Sequence, residues 1–137
     1  MLKITYKKIV NAFKNFSFPD VDFVVGIGTG GLIPASMAAY HLDKEIAYFH
    51  VNYRDDNNQP QHKKPVFLES QPIHQGVKNI LLIDDVSVTG KTLDAVKKKL
   101  SAYHVQTFVL VGLADFVLFP EIKECVDWPW KSLKNKD

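Results

Sequence analysis

The sequence predicts a single α/β domain in which helices cover both faces of a parallel sheet. Apolar runs of strand length alternate along the chain with segments whose apolar residues recur at helical spacing, which is typical of this fold class. The run Ile80–Ile83 is apolar without interruption, which suits a strand in the middle of such a sheet. The 137 residues are enough for one domain with a real core. We therefore expect residues 1–137 to form one domain around a twisted parallel sheet of about four or five strands.

Each predicted element follows from a local pattern. Residues 5–16 place apolar side chains on one helical face, and Thr5 is expected to cap this helix. A second helix is predicted from Leu32 to His41, and a third follows Gly90. The predicted strands are residues 22–26, 46–53, 65–68, 80–83 and 105–113. Residues 114–130 end in Trp-Pro-Trp and are expected to form a small, packed aromatic hood.

Composition and charge exclude several classes of protein. The net charge of +2 gives no broad basic surface for nucleic acid, and Lys131, Lys134 and Lys136 are interpreted as a solvated tail. No apolar run approaches membrane-spanning length, and residues 1–20 lack the pattern of a signal peptide. Cys125 is the single cysteine, which excludes an internal disulfide, and it is interpreted as a small buried residue. The predicted location is therefore the cytoplasm.

One stretch combines the features of a phosphate site. Asp84 and Asp85 stand where the strand 80–83 is expected to end, and a small-residue turn with Thr89-Gly90 leads into the third helix. Free backbone N–H groups at a helix N-terminus bind phosphate. Carboxylates accept hydrogen bonds from hydroxyls or hold a divalent cation. The stretch therefore predicts a site for a phosphorylated, polyhydroxylated ligand.

A second glycine-dense turn follows the first buried strand. Gly26, Gly28 and Gly31 fit the G-x-G-x-x-G pattern of dinucleotide sites, but no acidic residue stands at the tip of the next strand, where Asn52 lies. Dinucleotide binding is therefore the weaker alternative. A P-loop is excluded, because that motif requires glycine where the chain has Asp85.

These motifs together resemble those of the type I phosphoribosyltransferases. The family signature is an apolar strand, two acids, two variable residues, and then a small residue before Thr-Gly-x-Thr, and Leu82–Thr92 matches it closely. Residues 25–35 are similar to the family's pyrophosphate loop, and residues 54–64 fall where the family has a flexible lid. The Trp-Pro-Trp ending is similar to that of small bacterial purine enzymes. The resemblance covers nearly the whole chain and implies a Rossmann-like phosphoribosyltransferase fold.

The resemblance also implies roles for individual residues. Asp84 and Asp85 would hold the ribose hydroxyls of phosphoribosyl pyrophosphate (PRPP) and, with them, Mg²⁺. The turn around the 5′-phosphate would consist of Val88, Thr89, Gly90, Lys91 and Thr92. The pyrophosphate loop would consist of Gly28, Thr29, Gly30 and Gly31, with a strained peptide between the first two, for which a cis bond is one form. Arg54 of the lid would meet pyrophosphate, with a solvated loop charge as the alternative.

The half of the site that would bind the base departs from the family. Enzymes acting on 6-oxopurines carry an aspartate where this chain has Val88, and that aspartate exchanges a proton with the base. The family's lysine after the next strand is replaced at Leu113 and Ala114, and its stacking aromatic residue aligns with Cys125. A basic residue before the paired glycines is replaced by Thr29. The acceptor is therefore left open.

The resemblance implies one function and two alternatives. The first is Mg²⁺-dependent transfer of ribose 5-phosphate from PRPP to a nucleobase-like nitrogen acceptor, with release of pyrophosphate, in nucleotide metabolism such as purine salvage. The second is a non-catalytic regulatory domain that binds PRPP or a nucleotide, and the weakest is dinucleotide binding. A homodimer is expected from the family alone. We expect neither nucleic acid nor a membrane as a partner.

Overall fold

Helices and strands alternate along the chain in the structure, a computed structural model that describes residues 1–52, 66–70 and 72–132. The elements in chain order are β1 (Leu2–Lys3), α1 (Tyr6–Asn15), β2 (Phe23–Ile27), α2 (Leu32–Leu42), β3 (Ile46–Asn52), β4 (Val66–Ser70), β5 (Asn79–Ser87), α3 (Lys91–Lys99), β6 (His104–Gly112), β7 (Phe116–Val117), β8 (Val126–Asp127) and α4 (Pro129–Ser132). The predicted lid at 54–64, with Arg54, lies outside the described residues. In the described part of the chain, no helix has both the length and the apolar character needed to cross a bilayer.

The main sheet confirms the predicted α/β class. Its strand order is β4-β3-β2-β5-β6-β7. The strands from β3 to β7 in this order run parallel, and β4 pairs antiparallel with β3 at one edge. The predicted parallel sheet is therefore present, and an antiparallel edge strand extends it.

The central strand β5 is apolar because both of its faces are covered. Its residues Ile80, Leu81, Leu82 and Ile83 have no exposed surface. Leu81 and Ile83 belong to a core cluster with residues of α1 and α2, whereas Ile80 and Leu82 belong to a second cluster with residues of α3. Since alternate side chains of a strand point to opposite faces, a strand between two layers of helices has no position for a polar residue here.

The first helix forms where its pattern predicted it. The Thr5 hydroxyl oxygen accepts a hydrogen bond from the Lys8 amide at 3.1 Å, which confirms the predicted cap. Ile9 and Phe13 are the buried residues of this helix, and they pack into the cluster that also contains Ala35 of α2. The apolar face of α1 therefore covers the same side of the sheet as α2.

Strand β5 is longer than expected. It continues to Ser87, so that Asp84 and Asp85 lie within the strand and not after its end. The neighbouring strand β6 causes this extension, because its register pairs Asp84 with Val109 and Ser87 with Gly112. The acidic residues are therefore fixed by the sheet and do not belong to a turn.

The hood is packed, as the Trp-Pro-Trp ending predicted. Trp128 is 1% exposed and stacks on Trp130 with ring centroids 5.4 Å apart. Strand β8 of the hood pairs in parallel with β1, which forms a second, two-stranded sheet. The prediction that Cys125 is buried is wrong. This residue directly precedes β8, a two-residue strand whose own residues are only partly buried.

Candidate functional site

Two loops meet at the carboxyl edge of the sheet. The loop of residues 28–31 joins β2 to α2, and the turn of residues 88–90 joins β5 to α3. Strands β2 and β5 are paired neighbours, with Gly26 opposite Ile83. Ligands of open α/β sheets bind at this edge. The topology therefore brings two predicted motifs to the same edge of the sheet: the glycine-dense turn and the turn that follows the acidic pair.

The loop 28–31 presents free amides. The Gly28 amide donates to the Phe49 carbonyl at 2.6 Å, and the Gly31 amide donates to the Ile27 carbonyl at 2.9 Å. The amides of Thr29 and Gly30 have no acceptor among the described residues. Gly28 has a φ of 55°, in the left-handed region that glycine adopts without a steric cost. The peptide bond that follows it is trans, so the cis form of the predicted strained peptide is not adopted.

Glycine is required at two positions of this loop by close packing on β5. A Cβ atom at Gly30 would lie 2.7 Å from Oδ1 of Asp85, and one at Gly31 would lie 2.7 Å from the carbonyl oxygens of Ile27 and Ile83. Such distances leave no room for a side chain. The backbone of the loop therefore rests directly on the acidic residues of β5.

Asp85 is buried and forms an ion pair with Lys131. Its side chain is 8% exposed, and its Oδ2 lies 2.9 Å from Nζ of Lys131. Its Oδ1 accepts a hydrogen bond from the Val86 amide at 2.8 Å. The interpretation of Lys131 as part of a solvated tail is therefore wrong, because its ammonium group is paired with the buried Asp85, although about half of its side chain is exposed. The sequence signal that could have shown this was the packed Trp-Pro-Trp immediately before Lys131.

Asp84 differs from Asp85 in the groups that its carboxylate contacts. Adjacent residues of a strand point to opposite faces, so Asp84 shares the face of Leu82 and Asp85 the face of Ile83. Asp84 is partly buried, and its Oδ1 accepts a hydrogen bond from the Asp85 amide at 2.8 Å. Burial raises the pKa of Asp84 well above its usual range, and the charge of Asp85 raises this pKa further.

The turn after β5 forms a second set of free amides. Gly90 has a φ of 80° and begins α3 without a side-chain cap. The Thr89 hydroxyl oxygen accepts a hydrogen bond from the Lys91 amide at 3.3 Å. The amides of Val88, Thr89, Gly90 and Thr92 have no acceptor in the described part of the chain. Such a helix N-terminus can bind an anion through its backbone.

Next to this turn lies an apolar surface. Val88 is 77% exposed and Leu113 is 63% exposed. The Leu113 amide donates to the Ser87 carbonyl at 2.8 Å, which fixes Leu113 beside the end of β5. The carboxylate of Asp115 accepts from the Thr107 amide at 2.9 Å, and the Thr107 hydroxyl oxygen accepts from the Asp115 amide at 2.8 Å. Asp115 therefore serves the local structure, and Val88 and Leu113 are the exposed uncharged side chains of this surface.

The acidic residues fit a magnesium ion that is shared with a phosphorylated ligand. Among the described residues, no group of three or more His, Cys, Asp or Glu side chains could hold a metal by itself. Mg²⁺ is usually bound by one or two carboxylates together with water and phosphate oxygens. Asp84 and Asp85 supply donors of this type beside two loops that can hold phosphate.

The fold and this site define a class of protein. The model of the phosphoribosyl transferase domain family matches residues 4–134, and the chain belongs to this family. A purine phosphoribosyltransferase from Pyrococcus horikoshii superposes with a TM-score of 0.74 and 25% identity over 94% of this chain and 92% of that one. A xanthine-guanine-hypoxanthine phosphoribosyltransferase from Helicobacter pylori shares the fold, with a TM-score of 0.76 and 17% identity over 98% and 96% of the two chains.

Relatives by sequence include regulators. A protein from Methanosarcina mazei named transcriptional regulator GfcR is 31% identical over 96 residues, which are 70% of this chain and 46% of that protein. The chain thus spans about half the length of this curated relative. The proteins similar to this chain therefore include one named as a purine phosphoribosyltransferase and one named as a transcriptional regulator.

Proposed function

We propose that the protein binds PRPP together with Mg²⁺ and transfers ribose 5-phosphate to a nucleobase-like nitrogen acceptor. The close approach of Gly30 to Asp85 carries this proposal, because it places the loop 28–31 against an acidic residue of β5, the strand that leads directly into the turn 88–90. PRPP has a phosphate at one end of its ribose, a pyrophosphate at the other and two hydroxyls between them. The order of the loops and the acidic residues along the edge of the sheet matches this layout.

Each part of the donor has a counterpart in the chain. The amides of residues 28–31 would bind the pyrophosphate, and those of residues 88–92 would bind the 5′-phosphate. Asp84 and Asp85, at the carboxyl end of β5, would serve the ribose hydroxyls. They would also hold Mg²⁺, which supplies positive charge to the pyrophosphate when it is bound. Roles for the lid, including Arg54, stay predictions.

In the reaction, the bond between the anomeric carbon and the pyrophosphate oxygen breaks, and a bond from the acceptor nitrogen to that carbon forms. Positive charge develops on the sugar while negative charge develops on the leaving group. The amides of Thr29 and Gly30 are preorganised donors for that negative charge, because the packing of their loop on β5 holds them in place.

The acceptor differs from the bases of standard 6-oxopurine salvage. Val88 and Leu113 offer apolar contact beside the site and no proton donor or acceptor. A base recognised there would be held through its apolar face. A role in salvage of guanine, hypoxanthine or xanthine is therefore disfavoured.

A turnover assay tests the proposal. The protein would be incubated with PRPP, Mg²⁺ and a panel of bases, and release of pyrophosphate would be measured. The variant Asp84→Asn/Asp85→Asn serves as the control and is expected to lose both PRPP binding and turnover. If its affinity for PRPP equals that of the wild type, the site assignment is wrong. NAD(H) binding that survives in this variant would favour the dinucleotide alternative.

A regulatory domain without turnover is the second candidate. The name of the Methanosarcina mazei relative favours it, because that protein is a transcriptional regulator. The expected result would then be tight Mg²⁺-dependent binding of PRPP or a nucleotide in calorimetry, with no pyrophosphate released on any base. Homodimerisation and a cytoplasmic location stay predictions, and light scattering of the purified protein tests the first.

A further inference from the structure

The ammonium group of Lys131 lies beside the acidic residues of β5, where a metal ion bound to Asp85 would also lie. Its Nζ lies 2.9 Å from Oδ2 of Asp85, and it is the only lysine, arginine or histidine in the described ranges that forms an ion pair with either acid. Oδ2 is buried and has no hydrogen-bond donor of ideal geometry among the described residues. The ammonium group is therefore the main compensation for the charge on this oxygen.

The other oxygen of Asp85 is also committed. Oδ1 accepts from the Val86 amide at 2.8 Å and lies against the backbone of Gly30. A metal ion could reach Asp85 only by displacing Lys131 or by moving the loop 28–31. Asp84 forms no ion pair within the described residues. Only one of the two acids is thus available to a metal ion from solvent.

We propose that Lys131 is a positioning residue that keeps Asp85 from binding Mg²⁺ in the free protein, so that the cation enters only with the pyrophosphate of the donor. This inference rests on the proposed function. With Lys131 in place, its ammonium group already occupies the space beside Oδ2 of Asp85. Mg²⁺ loses its water reluctantly and needs more anionic ligands than one carboxylate supplies. The phosphate oxygens of the donor supply the remaining ligands.

Thermal unfolding with Mg²⁺ alone tests the inference, with KCl at matched ionic strength as the reference. We expect the Tm of the wild type and of Lys131→Arg to stay constant. Lys131→Gln leaves Asp85 without its counter-ion, and its Tm should rise by about 3–5 °C at Mg²⁺ about ten times above the dissociation constant. Lys123→Gln, at another exposed lysine of the hood, should behave as the wild type. In Asp85→Asn/Lys131→Gln the Mg²⁺ response should disappear, because it requires the Asp85 carboxylate.

Two results would overturn the inference: a wild type that Mg²⁺ stabilises as much as it does Lys131→Gln, or a response that persists in the double variant. The wild type gives a second measurement that needs no variant. The chain's two tryptophans, Trp128 and Trp130, lie in the hood just before Lys131 in the sequence. Their indole NMR signals therefore report on the position of the hood around Lys131. Mg²⁺ alone should leave these signals unchanged, whereas shifts with Mg²⁺ alone would contradict the inference.

Thermal unfolding with PRPP distinguishes a failure of this inference from a failure of the proposed function. If PRPP with Mg²⁺ does not stabilise the wild type, the proposed function fails, but the Mg²⁺-alone comparison still decides the role of Lys131. If PRPP binds and the variants respond equally to Mg²⁺ alone, only the inference about Lys131 fails.

Discussion

The two halves of the site are built in different ways. In the donor half, the loop 28–31 rests on Asp85, and Asp85 is held by a backbone amide and by Lys131. In the acceptor half, Val88 and Leu113 extend from the ends of neighbouring strands with most of their surface exposed. The first half is therefore held by the sheet, so that a side chain at Gly30 or the loss of the Asp85 carboxylate would disturb its packing. The second half can change its side chains freely, and specificity for the acceptor can diverge there.

The largest effect is expected from a substitution at Asp84, in the donor half of the site. Asp84→Asn removes the carboxylate that is open to ribose hydroxyls and Mg²⁺, and it should weaken PRPP binding about 100-fold, since hydrogen bonds to charged groups contribute about 1.5–3 kcal/mol each. Calorimetry with PRPP and Mg²⁺ measures this change. Asp20→Asn, at an exposed acid that precedes β2 and so lies away from the carboxyl edge of the sheet, is the matched control and should bind as the wild type. Equal affinities for Asp84→Asn and the control would contradict the assignment.

A methyl group at Gly30 should separate the loop from the acid. Gly30→Ala would place its Cβ against Asp85, and the strain should lower the free energy of unfolding by about 1–3 kcal/mol. Urea denaturation measures the loss. In an Asp85→Ala background the same substitution should cost less, because the atoms it meets are gone. An equal cost in both backgrounds would show that the contact is not the cause.

The raised pKa of Asp84 should also affect the pH dependence of stability. Because its pKa is raised in the folded protein, the folded state binds more protons than the unfolded state above the ordinary value of 3.8, so this group lowers stability as pH rises through that interval. Asp84→Asn should therefore have a higher Tm than the wild type at pH 7, and the difference should shrink toward about pH 4. Thermal unfolding without ligand measures both. A lower Tm of the variant at pH 7 would contradict the raised pKa.

The smallest effect is expected in the acceptor half. Val88→Thr changes an exposed side chain to one of similar shape, and the free energy of unfolding should stay within about 0.5 kcal/mol. Binding of PRPP should stay within about threefold, which is a similarly small energy. A loss comparable to that of Asp84→Asn would show that the halves are not independent.

The sequence predicted most of the fold because its signals were local. The uninterrupted apolar run 80–83 marked the central strand, and the spacing of apolar residues in 5–16 marked α1 with its Thr5 cap. The two loops of the candidate site were also predicted to follow strands of the parallel sheet. The extension of β5 through Asp84 and Asp85 was missed, because it depends on pairing with β6 and not on local pattern.

The ion pair of the site could not be predicted in the same way. Lys131 and Asp85 are far apart in the sequence, and nothing around Lys131 except the preceding tryptophans separates it from an ordinary surface lysine. The burial of Cys125 was predicted wrongly for a related reason, since burial of a lone small residue depends on which element covers it. Contacts made by the hood therefore required the structure.

The two-stranded sheet of β1 and β8 ties the hood to residues at the opposite end of the described chain. The Leu2 amide donates to the Cys125 carbonyl at 3.3 Å, and the side chain of Ile4 is 3% exposed in the main core. The hood therefore closes a loop that includes every strand of the main sheet. The amide hydrogens of Leu2 and Ile4, which donate to the carbonyls of Cys125 and Asp127, should exchange only when this closure opens. An affinity tag placed immediately before Leu2 would lie beside this two-stranded sheet. Tags are better placed elsewhere when binding is to be measured.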